Sequence, residues 1–404
     1  MNSHDDTKTA SAASYGATPA VDGVIAGSKG PPPDPQVALA SVHTSNLPDI
    51  LRHFHSSLAV STYQAGKLVL LRADGNAVNT HFRTFNRPMG MAADRERLAL
   101  GTFMEIAEYR NMPAVAPRLH QPPRHDAVYL ARRGHITGAI DIHEMAWDGA
   151  GDLWFVNTLF SCLCTLDTKS SFVPRWRPSF VSHYAPEDRC HLNGLAMRDG
   201  KPRYVTSLGT TNTPGGWRAN KRNGGVLIDL EGERLICSDL SMPHSPRWYG
   251  NHLYVLESGR GALVRVDPDS GKREDVGRVP GFARGIDFLG PLAFIGLSQL
   301  RESNPFTDIP ITDDNSERQS GVWVLNIEDG KTVAFLKFTG GVQEIFAVQA
   351  LHGALFPEIL SEPEYLENSY ALPDDALKEV QLTPPPAEAE AESAAADTTD
   401  GAKP

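Results

Sequence analysis

From His143 onward the chain repeats one pattern about every fifty residues, with Trp154, Tyr204 and Tyr254 at matching places. One unit runs His143-Glu144-Met145-Ala146-Trp147, Leu153-Trp154-Phe155-Val156-Asn157, Cys162-Leu163-Cys164-Thr165-Leu166 and Phe172-Val173-Pro174-Arg175-Trp176. Units opening at His191, His244 and Arg284 follow the same order. Each holds four short runs of β-branched and aromatic residues, parted by Asp, Gly, Asn and Pro turns, and no long amphipathic stretch lies between them. That is how the blades of a β-propeller are written. A further unit opens at Met89-Gly90-Met91-Ala92, which gives five from about residue 87 to residue 338.

The remainder sets the blade count. Residues 58–85 supply three strands, and Ile345-Phe346-Ala347-Val348 supplies one. Three N-terminal strands and one C-terminal strand make a mixed closing blade, which pairs the chain ends and removes an open sheet edge. The expected fold is therefore all-β, a six-bladed β-propeller with a mixed N-/C-terminal closing blade. Seven blades is the main rival, because the piece from Glu105 to Gly138 has room for extra strands. A β-sandwich would fit the alternation but would leave the fifty-residue recurrence as an accident.

Composition marks the domain limits. The formal charge is -11, of which residues 1–44 carry -2 and residues 361–404 carry -9, so the middle of the chain is neutral. A neutral body does not suit a nucleic-acid binder that neutralises many phosphates. Residues 1–44 are expected to be a disordered segment, 45–360 the propeller, and 361–404 an acidic, mostly disordered tail rich in Pro, Ala and Glu. Tyr365, Leu366, Tyr370 and Leu372 are the tail residues apolar enough to dock on the domain. The polar start, the lack of a long apolar stretch and four scattered cysteines together predict a cytoplasmic protein with reduced thiols and no membrane span.

In a propeller the innermost strand of each blade starts beside the axis, so residues far apart in sequence converge there. At those starts stand Arg87, His143, His191, His244, Arg284 and Glu344. His143, His191 and His244 form a candidate set for a divalent metal, with Zn, Fe, Mn and Cu not distinguished by the residue types. Arg87 and Arg284 suit a carboxylate or phosphate, while Glu344 and His143 are the candidate acid–base groups. The blade registers differ: matching Met-Ala-Trp-Asp to Leu-Ala-Met-Arg-Asp places His143 opposite Asn193 rather than His191. A metal-free polar pocket and scattered structural histidines therefore stay open as readings. Two polar insertions, around 215–225 and 299–320, are placed to cover the binding face, and Trp217 and Arg218 in the first are candidate ligand contacts.

The phrases Ser61-Thr62-Tyr63-Gln64-Ala65-Gly66-Lys67-Leu68, Phe85-Asn86-Arg87-Pro88-Met89-Gly90, His143-Glu144-Met145-Ala146 and Cys190-His191-Leu192-Asn193-Gly194-Leu195-Ala196 resemble the bacterial conserved hypothetical family TIGR03032, over about residues 50–360. The resemblance implies a propeller-like repeat and no activity. More distantly the chain is similar to six-bladed enzymes of the gluconolactonase and lyase kind, whose chemistry lies at one axial mouth. Two functions follow as expectations. One is a metal-dependent hydrolase or lyase acting on a small polar or anionic metabolite. The other is a non-catalytic propeller that binds a peptide, glycan or partner protein.

Overall fold

The computed structural model describes residues 39–299, 308–313 and 317–380. Their strands form six sheets arranged as a six-bladed β-propeller. Six inner strands, Met91–Ala93, Ile142–Trp147, Leu192–Arg198, Pro243–Tyr249, Phe282–Leu289 and Ala347–His352, pack side by side in that order around the axis, the last returning to the first. We number the blades 2, 3, 4, 5, 6 and 1 accordingly.

Blade 1 is the closing blade. Its inner strand comes from the C-terminal side, followed outward by Ser56–Ser61, Lys67–Asp74 and Ala77–Thr84. Val60 pairs with Val348 and Ser61 with Ala347, so the three-plus-one remainder is the closure. A seventh blade does not form from the 105–138 piece: Glu105–Asn111 and Ala127–Ile136 are the outer strands of blade 2, joined by a short helical turn.

The two end blades each gain a fifth strand. Ser41–His43 adds antiparallel to the edge of blade 6, ahead of the expected start of the domain at residue 45. Pro357–Leu360 adds parallel to Ala127–Ile136 of blade 2. Glu358 fixes that strand: its carboxylate lies 2.9 Å from Nε2 of His81, 3.0 Å from Nη2 of Arg83 and 3.6 Å from both Arg72 and His125. Beyond it, Tyr365 and Leu366 pack near Val115, Val128 and Leu130, whereas Tyr370 and Leu372 are exposed. The sequence outside 39–380, including most of the expected disordered ends, lies outside the described residues.

The inner strands explain the mismatch of blade registers. In blades 3, 4, 5 and 6 the ladder to the second strand slips close to the strand start, at His143/Glu144, Asn193, Ser245/Pro246 and Arg284/Gly285. A β-bulge inserts an extra residue and re-aims the side chains around it. Pairing across each blade makes Ile142, Leu192, Pro243 and Phe282 equivalent. His143, Asn193 and His244 therefore share one position, and His191 stands two residues earlier, level with Asp141 and Met242.

Core packing follows from strand alternation. Tyr254, Leu256, Leu263, Phe294, Val324 and Leu336 are buried between neighbouring sheets. Outer turns carry the Asp and Gly residues that the sequence suggested: Asp267 accepts the amides of Asp269 and Ser270, and Gly271 has φ +70°, a conformation that needs no side chain. That loop is a structural turn.

Candidate functional site at the axial mouth

The starts of the inner strands bring four of the expected residues into contact. Arg284 of blade 6 donates from Nη2 to Nε2 of His143, across the axis in blade 3, at 2.7 Å. Its Nη1 lies 3.5 Å from a Glu344 oxygen, and its guanidinium sits 3.6 Å over the ring of Phe346. The rings of His143 and His191 meet edge to face with centroids 5.0 Å apart.

Hydrogen bonding assigns the tautomers. Nδ1–H of His143 points at the carbonyl of Asp141 (3.0 Å) and the hydroxyl of Thr158 (2.7 Å), and that hydroxyl donates onward to the carbonyl of Leu192. His244 repeats the arrangement: Nδ1–H faces the carbonyl of Met242 (2.9 Å) and the hydroxyl of Ser258 (3.0 Å), which donates to the carbonyl of Ala283. Both rings are buried, and burial, followed by the charge of Arg284 and then His191, pushes them well below the usual imidazole range. They are neutral. Arg284 is itself lowered by burial while Glu344 opposes the shift, and it stays a cation.

His191 differs. Its Nδ1 is 2.9 Å from Oδ1 of Asp188, and Oδ2 of Asp188 accepts from Nε1 of Trp217 (2.8 Å) and Nη2 of Arg218 (3.2 Å). Trp217 packs its ring 4.5 Å from that of His191. Nε2 of His191 has no hydrogen-bond partner among the described residues. Asp188 and His191 both have left-handed backbone, with φ +47° and +50°. Non-glycine residues held there carry strain that surrounding contacts must offset, and such residues collect at functional sites.

Arg87 stands at the rim of the same mouth. Its guanidinium lies 4.5 Å from the ring of Phe103 and 5.9 Å from that of Tyr63. Tyr63 stacks on Phe346 with centroids 5.7 Å apart. Burial and then Asp141 raise its phenol above the ordinary range, with Arg87 opposing and Glu344 adding to the rise. Arg218 is tied to the site through Asp188, and Trp217 both through Asp188 and by its ring against His191. The described part of the second insertion supports them, since Ile309 packs with Trp217, Met242 and Phe282.

Among the described residues no group of three or more His, Cys, Asp and Glu is arranged to hold a metal ion. The reason is local: both nitrogens of His143 are engaged, one as donor and one by a cation. Sequence reading missed Asp188, Asp141, Tyr63 and Phe346. Asp188 had a signal, three residues before His191 in Glu187-Asp188-Arg189-Cys190-His191, and Tyr63 lay inside a phrase quoted for family resemblance. The opposite mouth opens into a cavity of about 410 Å³ bordered by Trp147, Trp248, Arg97, Arg247 and Gln349.

A family model described as a domain of unknown function (DUF4915) matches residues 45–360. This corrects the resemblance to TIGR03032, which is not the family that matches. No curated protein matches the chain. Among solved structures, a crystal structure of a nidogen/laminin complex is 11% identical, with TM-score 0.49, covering 74% of this chain and 99% of that one. A protein of unknown function from Bacteroides caccae is 10% identical, with TM-score 0.46, covering 73% and 98%. No helix among the described residues is long and apolar enough to cross a membrane.

Proposed function

Because the chain belongs to the DUF4915 family, a domain of unknown function, we propose from the site itself that this propeller is a hydrolase or lyase acting on a small polar or anionic metabolite at the axial mouth. The observation that carries the reading is the Asp188–His191 pair. A carboxylate holding Nδ1–H fixes the ring so that the other nitrogen offers a lone pair, which is the geometry of a general base. Trp217 and Arg218 secure Asp188 in turn.

Arg284 supplies positive charge where an anion would develop, and its setting against Phe346 and His143 keeps that charge pre-aimed. His143 serves here as the positioning residue for Arg284, not as the proton carrier. Glu344, 3.5 Å from Arg284, holds that guanidinium in place, and the protonated His191 returns the proton to the leaving group. Arg87 binds the substrate at the rim. A divalent metal on His143, His191 and His244 is the other form of this reading, and it requires Arg284 to leave His143 first. The cytoplasmic setting fits the four cysteines, which are all unpaired and buried. Cys162 and Cys164 have sulfurs 3.5 Å apart in a closed core, and burial raises the Cys164 thiol.

The test is untargeted mass spectrometry of a polar metabolite extract incubated with protein. Wild type and Arg97→Lys, a change at the far mouth, should both deplete one compound, and His191→Asn should not. Equal depletion by His191→Asn, or no depletion by wild type, would overturn the reading. A non-catalytic propeller binding a peptide, glycan or partner protein is favoured by one observation, the aromatic-walled cavity of the far mouth. Binding that survives every change at the near mouth would support it.

A further inference from the structure

Two charged side chains at the axial mouth have no hydrogen-bond or ion-pair partner among the described residues, and they have opposite sign. Arg87 precedes the inner strand of blade 2 and Asp141 precedes that of blade 3. These strand starts touch: the amide of Gly90 donates to the carbonyl of Ile142 at 3.3 Å. A Cβ on Gly90 would lie 1.7 Å from the carbonyl oxygen of His143, so glycine is what allows the approach. The phenol of Tyr63 lies in the field of both, raised by Asp141 and lowered by Arg87.

Both residues are also held in left-handed backbone, Arg87 at φ +51° and Asp141 at φ +53°. For Arg87 the cost is compounded, because Pro88 follows it and restricts its backbone. Two strained, unpaired, opposite charges on touching strand starts are poorly explained by stability, since each would be cheaper paired or replaced by glycine. The other charges at the mouth are already matched: Arg284 with Glu344, and Arg218 with Asp188.

We infer that the axial mouth recognises a ligand carrying a carboxylate and a protonated amine close together, of the amino-acid class, with Arg87 taking the carboxylate and Asp141 the ammonium. The inference rests on the axial-mouth reading and names its substrate class. A guanidinium binds a carboxylate in bidentate fashion, and a carboxylate takes up an ammonium through its hydrogens. A dianion such as phosphate leaves Asp141 facing like charge, and a simple amine leaves Arg87 unmatched.

Calorimetric titration of the full chain with the proteinogenic L-amino acids tests this, with inorganic phosphate as the anion control. At least one amino acid should bind, and its des-amino and decarboxylated analogues should bind at least about tenfold more weakly. Arg87→Ala should weaken the amino acid at least about tenfold and leave the decarboxylated analogue unchanged, and Asp141→Asn should do the reverse with the des-amino analogue. Arg87→Gly, which keeps the backbone conformation without strain, separates loss of contact from loss of fold. No binding by any amino acid, binding indifferent to both substitutions, or phosphate binding tighter than the amino acid would each overturn the inference. His191→Asn keeps the ligand site, so amino-acid binding that survives in this variant while no turnover is found in wild type would sink the catalytic reading alone.

Discussion

Arg284 donates to Nε2 of His143 at 2.7 Å across the axis, joining two blades that stand opposite each other in the ring. This contact keeps the imidazole neutral and the guanidinium fixed, and both properties can be measured. In Arg284→Met the pKa of His143 rises, because one of the two largest depressing causes is gone while burial remains. Imidazole carbon shifts followed by NMR from pH 8 to pH 4 give the value. An unchanged titration would show that burial alone sets the protonation state.

The buried neutral histidines make stability depend on pH in a defined direction. His143 and His244 have folded pKa values below the unfolded one, near 6.5. The unfolded chain therefore binds more protons as pH falls below about 6.5, and stability is lost from there downward, by up to about 1.4 kcal/mol per pH unit for each ring. Above pH 7 the contribution is flat. Chemical denaturation at pH 7.5, 6.5 and 5.5 should show the fall, and His143→Gln should make it shallower.

Glu358 acts in a lower window. Burial pushes its carboxyl up, but the hydrogen bond and charge of His81, then the charge of Arg83, pull it down to about 2. Its stabilisation is present above the unfolded carboxyl pKa and is lost as pH falls toward 2. Glu358→Gln should destabilise by about 3 kcal/mol at pH 7 and release the Pro357–Leu360 strand to hydrogen exchange ahead of the other strands of blade 2.

Closure of the ring depends on the inner strand of blade 1. Ending the chain before residue 340 removes that strand and exposes Ser56–Ser61, so cooperative unfolding should disappear. Ending it after residue 382 should leave the melting temperature within about 2 °C. A cooperative transition in the shorter chain would refute the closure argument.

Backbone strain at the mouth gives a counter-intuitive result. Glycine adopts positive φ without penalty, so Arg87→Gly and Asp141→Gly should leave stability unchanged or raise it by about 1 kcal/mol. A loss above about 1 kcal/mol at either position would show that its side chain supports the fold.

The architecture was legible because propeller blades are local: four strands in order, each turn marked by Asp, Gly or Pro, and Trp154, Tyr204 and Tyr254 recurring at one interval. The two fifth strands were not, since Ser41–His43 and Pro357–Leu360 pair with distant edges and are too short to show a period. At the site, strand starts singled out His143, His191, Arg284 and Glu344, which lie in contact with one another. The bulges hid how the cluster is oriented. In blades 3 to 6 one extra residue in the inner strand changes which side chain faces the axis, so Asn193 stands level with His143 and His244, and His191 meets Asp188 instead. Tyr63 lies in the turn between Ser56–Ser61 and Lys67–Asp74 of the closing blade, and Phe346 in the connection that enters its inner strand, where no repeat predicts a role.

The central claim is that His191 acts as a base oriented by Asp188, and the most direct measurement is the turnover of Asp188→Asn on the compound that wild type depletes. The amide keeps the size of the side chain but no longer stabilises a proton-accepting imidazole. The account predicts kcat lower by about 10² to 10⁴ with KM changed less than about threefold, and Arg97→Lys at the far mouth indistinguishable from wild type. A kcat within twofold of wild type in folded Asp188→Asn would contradict it.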